Sequence, residues 1–287
     1  MRTAYSFFSR LACVSMGLGV LLVSSIAATQ AQSPSGDIAP VWSPVNDDIA
    51  YESDQDGDSE IYVLSLNSGK VSALTDNNAS DLSPSWSPDG KRIAFYSSRD
   101  GNFEIYAMKT NGLELRRWTS DSAIDWHPSW SPDGTQIVFE SWRDGQPDLY
   151  VIDIEAEALS RLTQTPQRES HPVWSETGIA FGSLRNGQWG IYLLTPESEE
   201  TTAVVTGLGI DPNPAWSPDG QWLSYTALSR GTTDIHVIDR MGEHHQTISD
   251  DEFQDDFATW SADGRRLAYS SQRQGRWRIF IREVTLP

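Results

Sequence analysis

The sequence predicts an all-β fold, a six-bladed β-propeller of four-stranded blades whose last blade is incomplete. Three observations carry this expectation. Six tryptophans recur at one period, a turn motif follows most of them, and short apolar-aromatic runs lie at fixed distances from each. The tryptophans are Trp42, Trp86, Trp130, Trp174, Trp216 and Trp260, spaced 44 residues apart with a single step of 42. Around Trp86 the chain reads Pro-Ser-Trp-Ser-Pro-Asp-Gly, and the same core returns at Pro128–Gly134 and Pro214–Gly220. A period of 40–50 residues that carries four strand signals reads as a propeller blade.

Each element of the repeat has a physical cause. Ser-Pro-Asp-Gly is a tight turn, because proline presets φ, aspartate bonds nearby amides and glycine accepts a positive φ. The following run is Ile93-Ala94-Phe95 in blade two, Ile137-Val138-Phe139 in blade three and Ile179-Ala180-Phe181 in blade four. Such β-branched and aromatic runs suit half-buried strands. A glycine turn follows at Gly57, Gly101, Gly145, Gly187, Gly231 and Gly275, and then a third strand such as Glu104-Ile105-Tyr106. A fourth strand closes most units near Leu74-Thr75, Trp118-Thr119 and Leu162-Thr163. The blades are expected at about residues 37–76, 81–120, 125–164, 169–207, 211–250 and 255–287. The tryptophans are expected to pack between blades, since one blade cannot bury both of its faces.

Residues 1–31 read as a signal peptide. Arg2 and Arg10 precede an apolar run from Leu11 to Ala28, and small residues allow a cut after Ala31. The mature chain, residues 32–287, is then expected in the periplasm or outside the cell, as a monomer and not embedded in a membrane. Counting back from Trp42 places the end of a closing strand for blade six at Ala31. Blade six is therefore expected to have three strands and an exposed edge unless residues 27–31 survive processing.

Composition narrows the partners. The formal net charge is −19, which repels phosphate backbones and anionic lipid head groups and argues against nucleic acid. Twelve tryptophans and 38 % hydrophobic residues suffice for a folded core. The single cysteine, Cys13, leaves no disulfide and no thiolate metal site.

The Trp-Ser-Pro-Asp-Gly-x-x-Ile-Ala-Phe core, the Arg-Asp-Gly turns at Arg99–Gly101 and Arg143–Gly145, and the Ile-Tyr-Val strand resemble the repeats of TolB-type propellers. The resemblance implies a non-catalytic module that binds peptides or envelope proteins at the mouth of its channel. Similar repeats occur in the propellers of prolyl-oligopeptidase-type enzymes and in propeller lyases. The α/β domain that precedes the propeller in TolB has no counterpart before blade one, and there is no Gly-x-Ser-x-Gly elbow.

Two sets of residues are candidates for binding. Five residues before each tryptophan stands a carboxylate: Asp37, Asp81, Asp125, Glu169, Asp211 and Asp255. If they line one mouth of the channel, they form a ring that attracts Ca²⁺ or a basic peptide segment. Asp125, Glu169 and Asp211 are the expected Ca²⁺ ligands. The bland reading is that each acid caps its own loop. Two positions further on stand His127, His171 and Asn213, with Trp126 beside them, to supply shape and hydrogen bonds. The alternative function is a metal-dependent lyase or hydrolase that uses His127 and His171 with Asp125 and Glu169 around Mn²⁺ or Zn²⁺. Asp54–Glu60 resembles a calcium loop by itself, but it aligns with Ser98–Glu104 as the hairpin turn of blade one.

Overall fold

The computed structural model describes residues 36–196, 198 and 200–286. The expected signal peptide and the closing strand at 27–31 lie outside them. The described residues form six antiparallel sheets in chain order, five of four strands and the last of three. Blade three is representative: Asp125–Trp130 is innermost, followed outward by Gln136–Ser141, Asp148–Asp153 and Ala158–Arg161. The other innermost strands are Asp37–Trp42, Asp81–Trp86, Arg168–Ser175, Ala215–Trp216 and Gln254–Trp260. Blade six ends at Arg276–Glu283 as its outer strand. Among the described residues no helix is long and apolar enough to cross a membrane.

The turn chemistry is as expected. Ser87 Oγ donates to Asp89 Oδ1 at 2.7 Å, and the Lys91 amide donates to the same oxygen at 3.0 Å. Both bonds hold the Asp89 carboxyl below the usual range. Gly90 sits at φ +67° and closes the turn onto the Ser87 carbonyl.

The core lies between blades. Trp86 packs with Ala50 and Ile61 of blade one and with Ile93, Phe95 and Tyr106 of its own blade. Its indole Nε1 donates across the seam to the Val41 carbonyl at 3.0 Å, and Trp216 does the same to Val173 at 3.2 Å. Phe95, Phe139 and Phe181 are wholly buried, and each such side chain contributes about 2–3 kcal/mol by leaving water. The seam between blades six and one is built from Ser270, whose Oγ accepts the Ala39 amide at 3.0 Å, and Arg266, which pairs with Asp47 at 2.6 Å.

Where an outer strand peels away, a hydroxyl replaces the lost backbone partner. Thr75, Thr119, Thr163 and Ser249 accept the amides of Ile61, Ile105, Leu149 and Ile235 at 2.8–2.9 Å. No buried N–H is thereby orphaned at these points.

The hairpin turns carry a second set of pins. Arg99 places one Nη at 2.9 and 2.8 Å from the two oxygens of Asp81, and Arg143 reaches Asp125 at 3.1 Å to each oxygen. Both carboxylates are fully buried. Removing one partner of such a pair strands a buried charge, at a cost of about 3–5 kcal/mol. Arg143→Met should therefore lose about 3 kcal/mol in urea unfolding, and adding Asp125→Asn should restore much of that loss. Equal stability of Arg143→Met and wild type would show that the pair does not pin the blade.

Candidate functional site

The site starts from a repeated irregularity. In five innermost strands the pairing slips by one residue just before the tryptophan, for example between Ile38 and Val41 and between Leu82 and Ser85. The residue at the slip takes a positive φ in all six blades: Ala39, Ser83, His127, His171, Asn213 and Phe257, at 45–56°. None is glycine, so each carries about 1–2 kcal/mol of backbone strain. The bulge turns these six residues inward. They line a central channel of about 500 Å³, together with the prolines that follow five of them and the ring of tryptophans. The walls are apolar at the Ser-Pro turns and become polar at four of the six bulge residues, Ser83, His127, His171 and Asn213.

The polar end centres on His127 and His171. Their rings stack at 3.7 Å between centroids with 29° between planes. His127 Nδ1 hydrogen bonds Glu140 Oε2 at 3.0 Å, and Glu140 Oε1 accepts Trp142 Nε1 at 3.1 Å. His171 Nδ1 lies 3.4 Å from Asp211 Oδ2. Asp256 accepts Asn213 Nδ2 at 2.8 Å and Thr226 Oγ1 at 2.7 Å. Glu52 accepts the Ser83 amide at 2.7 Å.

Two histidines at the same repeat position have opposite proton affinities. Burial, and then the facing His171, push the His127 imidazole below the ordinary range. Burial is the largest influence on His171 too and lowers it, but Asp211, Glu140 and Asp256 together hold it above that range. Burial raises Asp211, but the two histidines and the Ser170 hydroxyl together hold it below the usual range. Burial raises Asp256. The stacked pair is thus split, His171 upward and His127 downward.

The acidic collar expected from sequence does not form as a solvent-facing ring. Asp81, Asp125, Glu169 and Asp255 have no exposed surface and point into the blades. The first two face their arginines, and Glu169 accepts Thr165 Oγ1 at 3.0 Å. Asp37 accepts Ser53 Oγ at 2.7 Å. Only Asp211 turns to the channel residues. The innermost strand of blade five has ladder pairs at Ala215–Trp216, and upstream of them Pro212, which has no amide to donate, accepts the Thr226 amide at 2.7 Å. Asp125, Glu169 and Asp211 are thus not a shared Ca²⁺ ligand set. Trp126 packs edge-on against His127 at 5.9 Å and against Trp142 at 6.2 Å, within the seam between blades two and three. His127, His171 and Asn213 do line the channel, as expected.

The residues missed from sequence are Glu140, Asp256 and Glu52. Glu140 and Glu52 interrupt the apolar second strands, as Phe139-Glu140-Ser141 and Tyr51-Glu52-Ser53. A charge inside such a run was the available signal. Glu140, with His127 and His171, is one of two described groups whose ligand atoms lie close enough to share a metal ion, within 4.8 Å of one another.

No curated protein matches the sequence. Among solved structures, TolB from Acinetobacter baumannii superposes with a TM-score of 0.68 at 27 % identity, covering 74 % of this chain and 54 % of that one. This chain thus spans about half the length of that TolB. A protein from Agrobacterium tumefaciens described as a TolB gives 0.72 at 22 % identity, with 88 % and 92 % covered. Oligogalacturonate lyase from Vibrio parahaemolyticus shares the fold, with 0.62 at 14 % identity and 88 % and 90 % covered. The family model for the TolB beta propeller domain matches residues 27–180 and 171–285, and the chain belongs to that family.

Proposed function

We propose that the protein is an exported binding module that receives an extended, basic segment of an envelope protein in its central channel. The observation that carries this reading is the channel itself. Its proline and tryptophan walls suit the apolar flanks of an extended chain. Its far end gathers Glu140, Asp211 and Asp256 around two histidines shifted in opposite directions. The surplus of negative charge selects a Lys or Arg side chain. The signal-like leader and the membership in the TolB propeller family support export and a binding role.

A peptide library displayed against the purified chain tests this. The expected outcome is enrichment of peptides with a Lys or Arg at one position, lost in Glu140→Gln/Asp211→Asn and in Ser83→Phe, which narrows the channel. Enrichment indifferent to all three substitutions would place binding elsewhere.

The histidine pair adds a pH dependence whose sign follows from geometry. A histidine held above its unfolded value contributes stability that is complete below that value and lost as pH rises through the folded value. The His171–Asp211 pair therefore weakens as pH rises through the His171 titration. Asp211 is then freed, and a basic peptide should bind more tightly. Imidazole NMR should show His171 titrating above and His127 below an ordinary histidine. In Asp211→Asn, His171 should fall below it and the pH dependence of binding should vanish.

A second reading is favoured by His127, Glu140 and His171, which could hold a divalent metal for a lyase or hydrolase. Glu140 takes the place there of Asp125 and Glu169. Metal analysis separates the two readings: stoichiometric Mn²⁺ or Zn²⁺ that disappears in His127→Ala supports the enzyme, and its absence from the purified chain supports the binder.

A further inference from the structure

Among the described residues blade six alone has three strands, so its third strand is outermost. That strand, Arg276–Glu283, pairs along its whole length with Arg266–Arg273 and leaves its other edge open. In the sister blades this edge is covered. The amides of Ile61, Ile105, Leu149 and Ile235 go to a Thr or Ser hydroxyl, and their carbonyls accept the amides of Leu74, Trp118, Leu162 and Ile248 at 2.8 Å. Ile279 stands at the same repeat position, and among the described residues it has neither partner. The one contact along the edge is Gly36, bridged to Trp277 at its start.

The charge on this edge is reversed relative to the sister blades. Arg278 occupies the place of Glu104 in blade two and Asp148 in blade three. There the acid is buried and meets an arginine of the fourth strand: Arg117 reaches Glu104 at 2.8 Å, and Arg161 reaches Asp148 at 2.6 Å. Each arginine stands opposite a tyrosine, Tyr106 or Tyr150, and reaches diagonally to the acid two residues before it. Phe280 takes the place of that tyrosine in blade six. An acid opposite Phe280 therefore meets Arg278, and an acid two residues earlier in an antiparallel strand lies opposite Arg282. Between them Ile281, 42 % exposed, calls for an apolar partner.

Three occupants differ in charge. Arg276, Arg278 and Arg282 are exposed, and among the described residues no acid forms an ion pair with them. Residues 264–282 hold six arginines and no Asp or Glu, in a chain of net charge −19. A second copy paired edge to edge sets two strands of three arginines each against one another, which is unfavourable. The residues before Gly36 contain no Asp or Glu to answer the arginines. An acidic strand from another protein satisfies both the backbone and the side chains.

We propose that the outer edge of blade six docks an extended acidic segment of a partner protein, of the pattern acid–apolar–acid, as an antiparallel fourth strand. The surface lies on the outermost strand, away from the channel, and acts independently of it.

Fluorescence anisotropy with two labelled synthetic peptides tests it: Ser-Thr-Glu-Val-Glu-Val-Thr-Ser and its Gln-for-Glu counterpart. The purified chain should bind the Glu peptide about tenfold more tightly than the Gln peptide. Arg278→Glu/Arg282→Glu, at two exposed positions, should abolish that preference. The Ile281 amide points the same way as that of Ile279, so Ile281→Pro removes an edge donor and spares the pairing to the inner strand. It should abolish binding of the Glu peptide, whereas Ser83→Phe in the channel should leave binding unchanged. The proposal is overturned if neither peptide binds, if the two bind alike, or if binding survives Ile281→Pro. Binding seen only after removal of residues 27–35 would assign the edge to the chain's own leader, and a dimer dispersed by Ile281→Pro would assign it to a second copy; either result overturns the proposal.

Discussion

A four-stranded blade has two apolar faces, and only a neighbour on each side can cover them. The rest of this structure follows from that constraint. The seams, more than the sheets, hold the tryptophans, the buried phenylalanines and the inter-blade bonds. They also hold the strain of the bulges. The amide of Ser83 is taken by Glu52 of the preceding blade, and the amide of Ala39 by Ser270 across the seam between last and first blades. A buried amide left unbonded would cost about 1–3 kcal/mol, as much as the strain of the bulge itself. At these two bulges the bonds that fix the backbone are also bonds that join the blades.

Much of this was legible in the sequence because the repeat is local and redundant. A strand, a turn with its Ser-Pro-Asp-Gly chemistry and a tryptophan at a fixed period specify a blade, and six copies specify a ring. The side-chain directions at the bulge were harder to read. Asp81 and Asp125 sit two positions from the inward-facing Ser83 and His127, and simple alternation would put them on the same face. The slipped register breaks the alternation and sends the acids into the blade. The clue was the recurring arginine of the hairpin turn, Arg99 and Arg143, 18 residues after each acid. Glu140 escaped notice because the slipped register hides its reach to His127 on the adjacent strand, and Asp256 because its partners Asn213 and Thr226 come from the neighbouring blade.

The repeat also supplies its own standard of comparison. A buried carboxylate needs a cation or several donors, and blades two and three show which cation the fold uses. A departure from that pattern has a chemical meaning, since the backbone frame around it is repeated from blade to blade. The change from Glu104 and Asp148 to Arg278 is of this kind. It would be invisible in an isolated strand, and the resemblance of Asp54–Glu60 to a calcium loop is by itself weak for that reason.

The same logic explains why two stacked histidines behave differently. His127 and His171 are equivalent in the repeat, and both sit on strained bulges facing the channel. Glu140 stands on the second strand of blade three, and Gly182 occupies the corresponding place in blade four. A Cβ at Gly182 would lie 2.6 Å from Asp211 Oδ1. The glycine therefore makes room for the Asp211 carboxylate beside His171, while Pro212 beside it offers the sheet a carbonyl, taken by the Thr226 amide at 2.7 Å, but no amide. Glu140 shares its charge between His127 and the Trp142 indole, whereas Asp211 faces His171 directly. One missing side chain in the blade of His171 thus admits an acid from the next blade, and the two equivalent histidines are shifted in opposite directions.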